Sequence, residues 1–138
     1  MKHILVLISV LSIGCRSSPE ASFQNLNKAF ITWYFKYQPI EATRYGMINN
    51  QGNFRATTTA GREEYYADIS RFLIELSQID ATKLSPDERI DYNMLYLNLE
   101  KMKFVLEGIR PWEWNPLWFL DELYTGLYIL SERNQIDM

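Results

Sequence analysis

Apolar residues in this chain recur mostly at steps of three and four, the spacing that lines one face of a helix. From Ser18 to Gln38 the positions Phe23, Leu26, Phe30, Trp33 and Tyr37 make one stripe. Ile31, Tyr34 and Phe35 widen it, so a helix here is packed on more than one side. Ser18 as a cap, Pro19 at the first helical position and Glu20 in the first turn predict where it starts. Pro39 predicts its end near Gln38, because the residue before a proline is disfavoured in helical geometry. Pro39 to Gly46 reads as a short second helical turn closed by the glycine, and Ile48 to Thr59, rich in Asn, Gly and Thr, as a linking loop. A further helix is predicted from about Thr59, its cap, to Ser77, burying Tyr65, Tyr66, Ile69, Phe72, Leu73 and Leu76.

Asp80 to Leu84 is a short connection, which makes the helices on either side antiparallel neighbours. The strongest helix start follows: Ser85 as cap, Pro86 at the first position and Glu88 at the third make a capping box. The helix carries two apolar seams, Ile90, Met94 and Leu97 on one side and Leu95, Leu99, Met102 and Leu106 on the other, and Gly108 is predicted to end it. At 1.5 Å per residue it forms a rod of about 33 Å. Ile109 to Pro116 is a bounded, Trp-rich connection. Leu117, Leu120, Leu123, Tyr124, Leu127 and Leu130 then continue at helical spacing, with no helix-ending motif before Met138. The pattern predicts an all-α fold of antiparallel helices packed as a small bundle. The two seams of the long helix and the unterminated last one predict an incomplete part of a larger helical fold.

Composition narrows the class. With 138 residues, 47% hydrophobic and 22% charged, the chain suits one globular domain and is too apolar for disorder. Its nine Tyr, seven Phe and four Trp supply either a bulky helical core with polar tips near water or, alternatively, a groove for carbohydrate or peptide. A formal net charge of −3, with Lys and Arg spread along the chain, excludes a nucleic-acid footprint.

The first residues are an address. Lys2 precedes an apolar run from Ile4 to Ile13, then Gly14 and Cys15, which reads as a signal peptide over residues 1–14. The run is too short to span a bilayer, which takes about 20 residues. Leu11-Ser12-Ile13-Gly14-Cys15 resembles a bacterial lipobox, although Ser12 stands where Leu is usual. Cleavage before Cys15 and lipid attachment to it are expected, giving a membrane partner through the anchor. As the one cysteine of the chain, Cys15 has no partner for an intramolecular disulfide. Arg16 follows it rather than Asp, so inner-membrane retention is not signalled, and an outer-membrane lipoprotein facing the periplasm is expected. Residues 15–21 then form an anchored linker and 22–138 the helical region.

The one histidine, His3, lies inside the signal peptide, so the mature chain offers no His-based zinc site, no Ser-His-Asp or Cys-His nucleophile and no histidine acid-base group. Neither GxxxxGK[ST] nor GxGxxG occurs. Glu64 and Asp68 share a helix face and are either metal ligands or, with Arg71 three residues on, part of a solvated salt-bridged face. No spacing singles out a pair of carboxylates for glycosidase chemistry. Trp112, Trp114 and Trp118 form the candidate interaction surface, with no catalytic, cofactor-binding or metal residue assigned.

Read in order, Pro39-Ile40-Glu41-Ala42-Thr43 with Gly46, Leu76-Ser77-Gln78-Ile79-Asp80, Leu84-Ser85-Pro86-Asp87-Glu88-Arg89-Ile90-Asp91-Tyr92 with Leu95, and Trp114-Asn115-Pro116 resemble the N-terminal region of the bacterial domain-of-unknown-function 885 proteins over roughly residues 22–133. That family is similar to mostly helical zinc metallopeptidases of the carboxypeptidase Taq type, whose HExxH-like metal site lies far downstream of the region matched. The resemblance implies a non-catalytic N-terminal helical segment, with zinc expected only in full-length relatives and the missing catalytic region as a partner. The alternative is a free-standing, lipid-anchored binding module of the cell envelope.

Overall fold

The helices α1, α3, α4 and α6 of the computed structural model, spanning Pro19–Tyr37, Thr59–Ser77, Pro86–Phe104 and Leu117–Ile136, begin on side chains that satisfy their first amide groups. The structure describes residues 18–47 and 58–136; Cys15 with its expected cleavage site, and most of the loop beginning at Ile48, lie outside the described residues. Helix α1 spans Pro19–Tyr37, with Ser18 Oγ accepting from the Ala21 amide at 3.2 Å. It stops before Pro39, as predicted, and α2 spans Pro39–Arg44. Gly46 follows with φ of 84°, a left-handed conformation that glycine adopts without steric cost.

Helix α3 spans Thr59–Ser77. Its cap is Thr58, whose hydroxyl accepts from the Gly61 amide at 3.1 Å, and not Thr59. Two adjacent threonines serve equally well by type, and only the backbone geometry chooses between them. A single 3₁₀ turn, Ala81–Lys83, is started by Asp80 accepting from the Thr82 amide at 3.1 Å. Helix α4 spans Pro86–Phe104 and begins with the predicted capping box: Ser85 Oγ accepts from the Glu88 amide, and Glu88 Oε2 accepts from the Ser85 amide at 3.1 Å. A hydrogen bond from Gln24 Nε2 at 2.9 Å, with those donated by the Ser85 hydroxyl and amide, holds the Glu88 carboxyl below its usual range.

The end of α4 differs from the expectation of a stop at Gly108. The helix widens at Val105–Ile109 into a π-helical turn, and Arg110 donates its amide to the Val105 carbonyl at 2.9 Å, five residues back. Arg110 is left-handed, with φ of 48° and ψ of 55°. Pro111 supplies the reason, because its ring disfavours the right-handed helical conformation at Arg110 and forces the break there. Gly108 works inside the turn instead: a Cβ built on it would come 3.0 Å from the Phe104 ring. The stretch predicted as a plain connection holds a one-turn helix, α5, Pro111–Trp114. Helix α6, Leu117–Ile136, follows, with Asn115 Oδ1 accepting from the Leu117 amide at 3.1 Å.

Among the described residues all regular structure is helical, and the fold is all-α. Gln24 at the start of α1 meets Glu88 at the start of α4, while Trp33 near the end of α1 meets Asp68 in α3. The Tyr92 hydroxyl donates to the Leu76 carbonyl at 3.2 Å, joining the start of α4 to the end of α3. Helices α1, α3 and α4 therefore run up, down and up, with α3 antiparallel to both neighbours, as the short connection before α4 predicts. Their shared core contains Phe23, Leu26, Trp33, Tyr65, Ile69, Phe72, Leu76, Leu95 and Leu99. Full burial of each aliphatic or aromatic side chain stabilises the fold by about 1.5–3 kcal/mol relative to exposure. Most of the aromatic residues of α1 and α3 are spent in this core.

Only one of the two seams on α4 is covered. Leu95 and Leu99 are buried and Met102 and Leu106 half-buried against them, whereas Ile90, Met94 and Leu97 stand in solvent, Leu97 65% exposed. Helix α6 packs on α2 and α5. Its stripe of Leu117, Leu120, Leu123, Tyr124 and Leu127 is exposed, Tyr124 reaching 72%. No helix among the described residues is long and apolar enough to cross a membrane.

Candidate functional site

The break at Arg110 folds the chain back, so that α5 and the start of α6 stand over the α1–α3–α4 bundle. Two of the three candidate tryptophans come together there. Trp112 and Trp118 are half-buried, with ring centroids 6.1 Å apart at an interplanar angle of 64°, and Trp118 meets Phe119 edge to face at 4.9 Å. Trp114 does not join them: it is 65% exposed and its indole N–H donates to the Ile109 carbonyl at 2.8 Å. At 100° per helical residue, positions two apart point about 200° away from one another, which separates Trp114 from Trp112.

Beneath this corner lies a cavity of about 540 Å³. Helix α1 contributes Phe30, Tyr34 and Tyr37, α2 Glu41, α3 Arg62 and Tyr65, and α4 with its π turn Asn98, Lys101, Met102 and Leu106. Gln38, Gly61, Val105, Trp112 and Trp118 complete the lining among the described residues. The Arg62 guanidinium lies over the Trp112 ring, 4.9 Å from its centroid, and donates to Thr59 Oγ1 at 3.1 Å. This cation–π contact joins the first turn of α3 to α5. The Tyr66 hydroxyl donates to Glu107, which fastens the π turn to the same helix. Glu41 is paired with Arg44 at 3.5 Å. Gln38 Nε2 donates to the Tyr65 hydroxyl at 3.3 Å. The lining thus combines flat apolar faces with amides and two cations, which is the chemistry of a binding site.

Sequence reasoning reached Trp112 and Trp118 but not Arg62, Lys101, Phe30 or Tyr34. The six residues come from five separate elements, α1, α3, α4, α5 and α6, and no spacing along the chain links them.

Glu64 and Asp68 do not act as a matched pair. Asp68 Oδ2 accepts from the Trp33 indole N–H at 2.8 Å, and Oδ1 faces Arg71 at 3.4 Å. Arg71 also reaches Glu75 at 2.9 Å, so the salt-bridged face is present, with an interhelical hydrogen bond added to it. Among the described residues no group of three or more His, Cys, Asp or Glu side chains converges.

Tyr37, in the cavity wall, is 9% exposed and tilted against Trp33 and Tyr65 with centroids 5.3 Å away in each case. Its hydroxyl has no hydrogen-bond partner among the described residues. Burial raises its pKa well above the ordinary phenol range, and the nearby carboxylates of Glu64 and Asp68 push in the same direction. Below pH 10 the phenol is protonated in both folded and unfolded chains and its contribution is fully present; above it the unfolded chain ionises first, so stability falls by up to about 1.4 kcal/mol per pH unit. Tyr37→Phe is expected to flatten this alkaline loss in urea midpoints recorded from pH 8 to 11. At pH 7 it should leave stability unchanged or slightly higher, because an unpartnered buried hydroxyl is removed. An alkaline loss as steep as in the native chain would assign the effect to other tyrosines.

No family model, curated protein or solved structure matches the chain.

Proposed function

We propose that this chain is a non-catalytic helical segment of an exported, lipid-anchored, metallopeptidase-like protein, and that it packs against the catalytic body of that protein. The observation that carries this reading is the pair of uncovered apolar faces: Ile90, Met94 and Leu97 on α4, and Leu117, Leu120, Leu123, Tyr124 and Leu127 on α6. A helix apolar around most of its circumference is ordinarily buried. Scattered exposed leucines are normal on protein surfaces, but a stripe along two helices marks an interaction surface. The residues that resemble the domain-of-unknown-function 885 proteins support the identity of the body, and the apolar run before Cys15 supports export and anchoring.

The test begins in the genomic DNA downstream of the Met138 codon. A continuing coding sequence with an HExxH motif is expected. The 138-residue chain is expected to bind anilinonaphthalene sulfonate at its exposed faces, and the joined product to lose that binding. Unrelated downstream DNA, together with a 138-residue chain that stays monomeric and binds no dye, would overturn the reading.

A further inference from the structure

We infer that the exposed seam of α4 pairs with the same seam of a second copy of this chain, the two helices running antiparallel about a two-fold axis between Met94 and Leu97. Taking the seam for an interaction surface rests on the packing role proposed above; giving it to a second copy goes further and leaves the stripe of α6 to the catalytic body. Ile90, Met94, Leu97 and Phe104 are each more than half exposed, while Leu95 and Leu99 on the opposite side of the helix are buried in the bundle. With Lys101 between Leu97 and Phe104, the seam steps alternately by four and three residues, the spacing of helices that pair side by side.

Charge selects the occupant. Asp87, Arg89, Asp91 and Lys101 are exposed and Glu100 half-buried, and none of the five joins an ion pair among the described residues. Asp87 and Asp91 are like charges one turn apart, an arrangement that destabilises a helix and that a cation set beside it relieves. At 100° per residue, Asp87, Asp91 and Lys101 fall on one flank of the seam and Arg89 and Glu100 on the other. A two-fold axis sets each flank against the same flank of the second copy, with the order of residues reversed. With Met94 opposite Leu97 of the second copy, Lys101 comes to the turn between Asp87 and Asp91, and Glu100 comes to Arg89. Both flanks are therefore self-complementary at one register. A parallel pair would set each charge beside its own duplicate, which repels.

The experiment is sedimentation velocity of the full chain at pH 7, diluted in steps from about 200 µM to about 1 µM. A contact between single helices belongs to the small, weak class of interfaces, so dimers at the top of the series and monomers at the bottom are expected. Leu97→Glu, which sets a charge in the middle of the seam, should weaken self-association by about tenfold or more. Arg89→Glu and Glu100→Arg should each weaken it about fivefold, and the two together in one chain should restore it to within about twofold. The two positions lie about 16 Å apart along α4, too far to meet inside one chain, so only pairing between copies gives the rescue. Leu127→Ser, on the stripe of α6, should change nothing. A monomer at every concentration, indifference to Leu97→Glu, single charge reversals that the double variant does not rescue, or loss of association in Leu127→Ser would each overturn the inference; the last would move the contact to α6. The two readings fail separately, because the DNA downstream of the Met138 codon decides the catalytic body and the dilution series decides the pairing.

Discussion

Replacing Phe72 by alanine is expected to cost about 3–5 kcal/mol, the range for a buried aromatic ring removed without collapse of its site. Phe72 is 1% exposed and lies where α1 meets α3. The Phe30 ring meets it edge to face at 5.6 Å, Trp33 tilts on it at 5.2 Å, and the Arg71 guanidinium covers it at 4.3 Å. One helical turn to either side, Ile69 and Leu76 are fully buried, so little is free to move into the space left. Since a domain of this size is stable by only about 5–15 kcal/mol, much of the folded population is at risk. Phe72→Leu, which keeps most of the volume, should cost roughly 1–2 kcal/mol. Urea unfolding followed by circular dichroism reads both values. A loss below about 1 kcal/mol for alanine would place the centre of the core elsewhere.

Asp68→Ala is expected to cost about 2 kcal/mol even though the substituted residue is itself part-exposed. Asp68 is the acceptor for the indole N–H of Trp33, which is 8% exposed and cannot turn to water for a replacement. An orphaned buried donor costs about 1–3 kcal/mol. Loss of the exposed Arg71 pair adds at most about 1 kcal/mol, and the better helix propensity of alanine returns a few tenths. Asp68→Asn keeps an acceptor and should lose no more than about 1 kcal/mol. If alanine and asparagine behave alike in thermal unfolding, the Trp33 hydrogen bond carries no weight. If alanine alone unfolds early, Asp68 is an interhelical fastener.

That residue shows how far the sequence could be read. Asp68 was legible as one member of a polar helix face with Arg71, because residues three and four apart on a helix are neighbours. Its bond to Trp33 was not, because it joins positions 35 apart in the chain and depends on how α1 and α3 are set against one another. The same holds at the aromatic corner. A cluster of Trp residues was visible, and a surface made of all three was expected; the structure unites Trp112 with Trp118 and sends Trp114 outwards. Arg62, which covers Trp112, lies 50 residues earlier and carried no local sign of that role.

The sequence by itself determined α1 to α4 and α6, their order and, apart from the cap of α3, their starts. Caps, prolines and the three-to-four spacing of apolar residues act within one or two turns, and Ser18, Ser85 and Pro39 did what their local chemistry requires. It also determined the all-α class, whereas which helices share the aromatic core was left to their packing. Tertiary structure decided the rest. It extended α4 through a π turn to the left-handed Arg110, placed Lys101 and Arg62 beside the Trp112–Trp118 corner, and left one seam of α4 and the stripe of α6 in solvent. An apolar stripe announces that a helix face wants a neighbour, but whether a neighbour arrives depends on the packing of elements far apart in the chain.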